Sequence, residues 1–135
     1  MKHIYITQND YDRLLVMLSE REKAENKDSP YLQSLRQEIA RAIIVPSDKI
    51  PRHVITMHSQ VSLRDMDSRE DMVYTLTFPD EADAAGNKIS ILAPIGTALI
   101  GYSVGDTIEW KVPTGLRRLK VMKIIYQPEA AGRLD

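Results

Sequence analysis

The 135-residue sequence has no cysteine and only one tryptophan and one phenylalanine. Without thiols there is no disulfide framework and no thiolate metal site, a usage that fits a reducing compartment and makes the cytoplasm the expected location. No run approaches the eighteen apolar residues of a membrane span, and Met1–Ile6 lacks the long apolar core and small-residue cleavage site of a secretion signal. Neither secretion nor membrane insertion is expected. Excess charge of one sign is missing too: 18 Lys and Arg face 19 Asp and Glu, so no overall positive field exists to hold nucleic-acid phosphates. Binding to free DNA is thereby disfavoured.

The chemistry of catalysis is equally thin. His3, His53 and His58 are the only imidazoles. His53 and His58 fall five apart on an expected strand and so point to opposite faces, which argues against a metal pair. Ser59 follows His58, but neighbouring strand residues diverge and no third orienting carboxylate stands at a triad spacing. Gly101 and Gly105 lack the lysine-serine signature of a phosphate loop and the strand-to-helix setting of a dinucleotide fingerprint, and read as turn glycines. No catalytic residue, metal ligand or cofactor is assigned, and the chain reads as a binding protein rather than an enzyme.

What is present is an ordinary folding composition: 43% of residues are hydrophobic and 27% charged, far from the signature of disorder. From Thr7 to about Asn26, apolar residues fall at Tyr11, Leu14, Leu15 and Leu18, one helical stripe. Thr7 or Asn9 suits the N-cap, and Asp10 places negative charge where the helix dipole favours it. Charge takes over from Glu20 to Asp28, the expected hairpin tip. Ser29 and Pro30 open a second helix carrying Leu32, Leu35, Ile39, Ala42 and Ile43, which must end before Pro46. Two such helices joined by so few residues run antiparallel as a short coiled-coil hairpin. Val45–Arg52, with its two prolines, is the expected linker, dividing the chain into residues 1–46 and 47–135.

Beyond the linker, Val54–Leu63 is rich in β-branched residues and Met72–Phe78 alternates, with Met72, Tyr74, Leu76 and Phe78 on one face. Pro79 stops that strand, and Asp80–Lys88 reads as an exposed connection. Strands are expected at Ile89–Leu92, Thr107–Val112 and Leu116–Tyr126, with turns at Val104–Asp106 and Pro113–Gly115. Pro94–Gly101 reads as a two-turn helix, opened by proline and closed by glycine. The expected fold class is therefore α+β: a helical hairpin, then an antiparallel sheet with one short helix.

Three features have two readings each. The tip acids Glu22, Glu25 and Asp28 are solvated charge, or carboxylates that lend oxygens to a magnesium ion held mainly by a partner. The basic stretch Arg117, Arg118, Lys120 and Lys123 is a solvated face or an edge protected against aggregation, or else a patch that meets a partner's acids or nearby nucleic acid. Trp110 is core, or an exposed binding anchor.

The run Ile91-Leu92-Ala93-Pro94-Ile95-Gly96-Thr97-Ala98-Leu99-Ile100-Gly101, followed by Val104-Gly105-Asp106, resembles the C-terminal domain of the Gre transcript-cleavage factors. The likeness extends through Pro113-Thr114-Gly115 and the closing strand. Val54–Val61 and the tail Tyr126–Gly132 are similar to the Gre relatives called regulators of nucleoside diphosphate kinase. The resemblance implies an FKBP-like C-terminal domain, an N-terminal antiparallel coiled coil and RNA polymerase as partner, with nucleic acid met only inside that complex. It further implies docking of the C-terminal domain at the rim of the polymerase secondary channel, with the coiled coil entering it.

In the family the loop before the short helix, commonly acid-serine-proline, contributes to polymerase binding. Here the matching residues are Leu92, Ala93 and Pro94, followed by Ile95, so only the proline is kept and the contact is expected to be apolar. Helices of about eighteen and fifteen residues give a hairpin of roughly 25 Å. Gre coiled coils are considerably longer, so this tip is not expected to reach the active centre or to stimulate RNA cleavage. Two alternatives stand beside this reading. One is an FKBP-like peptidyl-prolyl isomerase, against which the shortage of aromatics for a pocket counts; the other is a protein that contacts nucleoside diphosphate kinase directly.

Overall fold

Thr7 marks where the chain turns from extended to helical. The computed structural model describes residues 3–24, 29–112 and 114–133, and of residues 110–112 only the backbone. A short strand β1 (Tyr5–Thr7) leads into helix α1 (Gln8–Ala24), and helix α2 (Pro30–Ala40) is followed by strand β2 (Ile43–Val45). The Thr7 Oγ1 accepts the Asp10 amide at 3.0 Å, the expected N-cap bond. Ser29 makes no side-chain cap bond, so α2 starts on the preset φ of Pro30.

The second helix stops earlier than the apolar spacing suggests. Ile43, Ile44 and Val45 are β-branched, and they pair in parallel with Tyr5, Ile6 and Thr7 instead of continuing the helix. The hairpin is thereby closed at its base by a two-stranded sheet.

Residues 47–133 carry strands β3 (Gln60–Asp65), β4 (Asp71–Thr77), β5 (Lys88–Ser90), β6 (Thr107–Val112) and β7 (Gly115–Tyr126), with helix α3 (Pro94–Leu99) between β5 and β6. The sheet order is β5-β4-β3-β7-β6. It is mixed, which corrects the expectation of an antiparallel sheet: β5 runs parallel to β4, with Thr75 opposite Lys88 and Thr77 opposite Ser90. The connection between them holds two single 3₁₀ turns, Pro79–Glu81 and Ala84–Gly86, and Asn87 in the left-handed region. That gives it the length and the reversals a parallel crossover needs.

The strand expected over Val54–Leu63 begins only at Gln60. His58 has φ +67°, which no strand accommodates, and Val54–Met57 is a buried irregular segment. The opposite-faces argument for His53 and His58 therefore loses its premise.

One buried cluster includes Leu14 and Leu18 of α1, Leu32, Leu35 and Ile39 of α2, Val61 and Leu63 of β3, Leu76 of β4, and Leu119 and Val121 of β7. Hairpin and sheet thus share one core. The family-like run explains its glycines here. A Cβ on Gly96 would stand 2.1 Å from the Ser90 carbonyl oxygen, because α3 lies directly on the turn after β5. Gly101 has φ +81°, and a Cβ there would stand 2.6 Å from the Cβ of Ile4. The base of the hairpin is seated against that glycine.

Candidate interaction site

The loop before α3 is shaped by Ser90. Its hydroxyl accepts the Leu92 amide at 3.0 Å and its carbonyl accepts the Ala93 amide at 3.0 Å. Ala93 is the extended residue before the helix and Pro94 the first helical one. Pro94 is exposed, Leu92 and Ala93 are half-buried, and Ile95 packs partly into the core.

Leu92 and Pro94, with Thr97 and Ala98 of α3, form one wall of an open groove of about 650 Å³. The other wall is α2, through Pro30, Tyr31, Ser34, Gln37, Glu38 and the capping Arg41. Arg41 donates to Glu38 at 2.5 Å and to the Tyr102 hydroxyl at 3.0 Å, fixing the end of α2 against the segment after α3. The groove sets a half-exposed tyrosine, a proline and a leucine among polar side chains. Sequence reasoning placed the loop but missed the α2 wall. The available signal was Tyr31, a large apolar residue standing off the Leu32, Leu35 and Ile39 stripe.

At the other end of the hairpin, Glu22 is engaged. The Arg36 guanidinium donates Nε to one of its carboxylate oxygens at 3.0 Å and Nη2 to the other at 2.8 Å, a bidentate pair that ties α1 to α2. Glu25 and Asp28 lie outside the described residues, as does the side chain of Trp110. Among the described residues no three His, Asp or Glu side chains converge to hold a metal ion.

The basic stretch on β7 divides in two. Arg117 donates to Asp65 and Arg118 to Asp67, the latter at 2.9 Å. Amides of Asp67 and Ser68, then Arg117, hold the Asp65 carboxyl below its usual range. Lys120 and Lys123 pair in register with Arg64 and Ser62 of β3, which alternate with the buried Val61 and Leu63. Both lysines therefore stand on the outward sheet face, beside the exposed Tyr126.

The joint between α1 and the sheet part holds a buried acid that sequence reasoning assigned only to the helix dipole. Asp10 is 3% exposed and accepts the Met57 amide at 3.1 Å. Burial first, and the nearby charge of Glu129 second, push its carboxyl up to about 6 against the opposing pull of the Met57 amide, Arg13 and Thr7. Glu129 itself accepts the Thr56 hydroxyl at 2.7 Å. A second contact joins the same elements: the Arg13 guanidinium lies 4.7 Å from the centre of the Phe78 ring, and His58 bonds Glu81 at 2.8 Å beside that ring.

Residues 50–126 match the family model "Transcription elongation factor, GreA/GreB, C-term", and residues 2–45 match "Rnk N-terminus". A curated relative, "Regulator of nucleoside diphosphate kinase" of Escherichia coli K12, is 35% identical over 130 residues, covering 96% of this chain and 93% of that protein. "Transcription elongation factor GreA" of Thermodesulfovibrio yellowstonii is 33% identical over 96 residues, which are 71% of this chain and 61% of that protein. Among solved structures, a GreA/GreB elongation factor from Nitrosomonas europaea superposes with a TM-score of 0.77 at 39% identity, covering 91% of this chain and 99% of that one. The chain shares its fold with a GreA factor homologue of Thermus thermophilus at a TM-score of 0.50 and 24% identity, covering 93% of this chain and 100% of that one. The relatives carry the names of regulators and transcription factors. With a family model over more than half its length and a relative of this identity along nearly all of it, the chain belongs to the GreA/GreB family, carrying a Rnk-type N-terminus.

Proposed function

We propose that this protein is a transcription regulator that binds RNA polymerase at the secondary-channel entrance and competes there with Gre factors without stimulating RNA cleavage. The observation that carries this reading is the length of the hairpin. Helix α1 has 17 residues and α2 has 11, so the longer arm rises about 25 Å. The Gre resemblance implies a mechanism in which tip acids are delivered deep into the channel. A short arm, with Glu22 already held by Arg36, favours occupation of the entrance over delivery of a metal ligand. In this reading Glu25 and Asp28 lend no oxygens to a magnesium ion.

In this reading the unit from residue 47 onward docks, helped by Tyr31 of α2, and the rest of the unit up to residue 46 blocks. The docking contact is the groove containing Leu92 and Pro94, positioned by Ala93 and Ile95, with Tyr31 of α2 adding an aromatic anchor. Lys120 and Lys123 supply electrostatic attraction to polymerase acids, while Arg117 and Arg118 are committed to Asp65 and Asp67.

The test is binding to core RNA polymerase with and without a Gre factor as competitor, together with RNA cleavage in a backtracked complex. Mutually exclusive binding and no cleavage is the expected outcome. Simultaneous binding of both proteins, or cleavage above background, would refute the proposal. A second reading follows from the name of the E. coli relative, direct control of nucleoside diphosphate kinase. It predicts a complex of the two purified proteins, and the same binding assay run with the kinase decides between them.

A further inference from the structure

The outer face of α1 forms a second groove, with the turn at Phe78–Glu81 as its other wall, that shares no residue with the α2–α3 groove. Its apolar lining is Val16, Met17 and Pro79, with the Phe78 ring buried against Arg13. Val16 is 59% exposed, the most exposed large hydrophobic side chain among the described residues, although Leu14 and Leu18 on either side are fully buried. The fold has no internal use for it. The rim is acidic, with Asp12, Glu20, Asp80 and Glu81 against Arg13 and Arg21. Arg13 is occupied over the Phe78 ring. Burial works against ionisation of Glu81, but bonds from His58 and the Phe78 amide outweigh it and keep its carboxyl below the usual range. The groove therefore carries a net negative rim around an apolar lining.

We infer that this groove, between α1 and the Phe78–Glu81 turn, receives a short amphipathic helix from a partner protein, with apolar anchors flanked by lysine or arginine. The wall geometry selects a helix. Asp12, Val16 and Glu20 form an i, i+4, i+8 ridge about 12 Å long, the ridge another helix packs against over two to three turns. The facing wall is a 3₁₀ turn with no free strand edge, so addition of an extended peptide by backbone pairing has no template. The charge selects the sign, since a basic segment places its cations beside Asp12, Glu20 and Asp80 while its apolar side covers Val16 and Met17.

The experiment is a titration of the isotope-labelled full chain, followed by amide chemical shifts. One synthetic helical peptide carries leucines at i, i+4 and i+7 with lysines between them, and a second replaces each lysine by glutamate. The lysine peptide is expected to shift amides of residues 12–21 and 78–81. The glutamate peptide, and the lysine peptide against Glu20→Lys/Asp80→Lys, should bind about tenfold more weakly or worse. Val16→Asp, at an exposed position, should abolish the shifts while leaving the melting temperature within about 2 °C. Shifts confined to other surfaces, equal binding of both peptides, or no shifts at millimolar peptide would overturn the inference. So would self-association of the chain that Val16→Asp removes, because the occupant would then be a second copy.

Discussion

Replacing Asp10 by asparagine should change the pH dependence of stability in a way only that carboxyl explains. In the unfolded chain Asp10 titrates near 3.8, and in the folded protein near 6. Between those values the folded state holds the proton that the unfolded state has released, so stability falls as pH rises through this window and then levels off. A shift of about two units, at 1.36 kcal/mol each, bounds the loss at about 3 kcal/mol above pH 6. Asparagine keeps an oxygen for the Met57 amide and carries no charge. Relative to wild type, the variant should match within about 1 kcal/mol near pH 4 and gain up to about 3 kcal/mol by pH 7.5. Asp65, Asp71 and Glu81, whose values are lowered, impose the opposite slope on both proteins and cancel in the difference. Urea unfolding followed by circular dichroism at pH 4.5, 6 and 7.5 measures it. A difference that does not change with pH, or a variant less stable at pH 7.5 than at pH 4.5 relative to wild type, would refute the reasoning.

Gly96→Ala should cost about 3 kcal/mol or more, since the new Cβ meets the Ser90 carbonyl and neither backbone can withdraw, and a thermal melt reads the loss directly. Thr7→Ala should cost about 1 kcal/mol through the lost cap on Asp10, whereas Thr7→Ser should restore most of it. Glu22→Arg or Arg36→Glu alone should lower stability by up to about 1 kcal/mol, and the double exchange should recover it; a double variant no better than the singles would show that the bidentate pair contributes nothing.

The sequence was most legible where local chemistry and tertiary packing agree. The stripes through Leu14, Leu18, Leu32, Leu35 and Ile39 are buried as their spacing demands. Pro94 opens α3, and β6 and β7 fall within a residue of their turn signals. Where the two disagree, reading failed. Ile43 fits the helical spacing of α2 but is β-branched, and only a distant partner strand in β1 decides that it extends. The direction of β5 depends on how ten residues of connection fold, which no periodicity reports. His58 at positive φ interrupts an otherwise strand-like run. For the candidate site, the loop was found through a run of residues contiguous in sequence. Tyr31 and the Asp10–Met57 contact were not, because each joins parts of the chain tens of residues apart.

The parallel pairing of β1 with β2 gives the arm an adjustable length. The chain enters at Thr7 and leaves at Ile43 through neighbouring strands, and the helices between are seated on the body through the shared core and through Asp10, Arg13 and Arg41. Seven residues added to each helix near the tip would keep the apolar stripes in phase and extend the arm by about 10 Å, without disturbing the strands, Gly101 or the shared core. Reach is thus a module that insertion or deletion can tune independently of the folded body, and grafted extensions would turn this protein into a molecular ruler for the depth at which an arm begins to act.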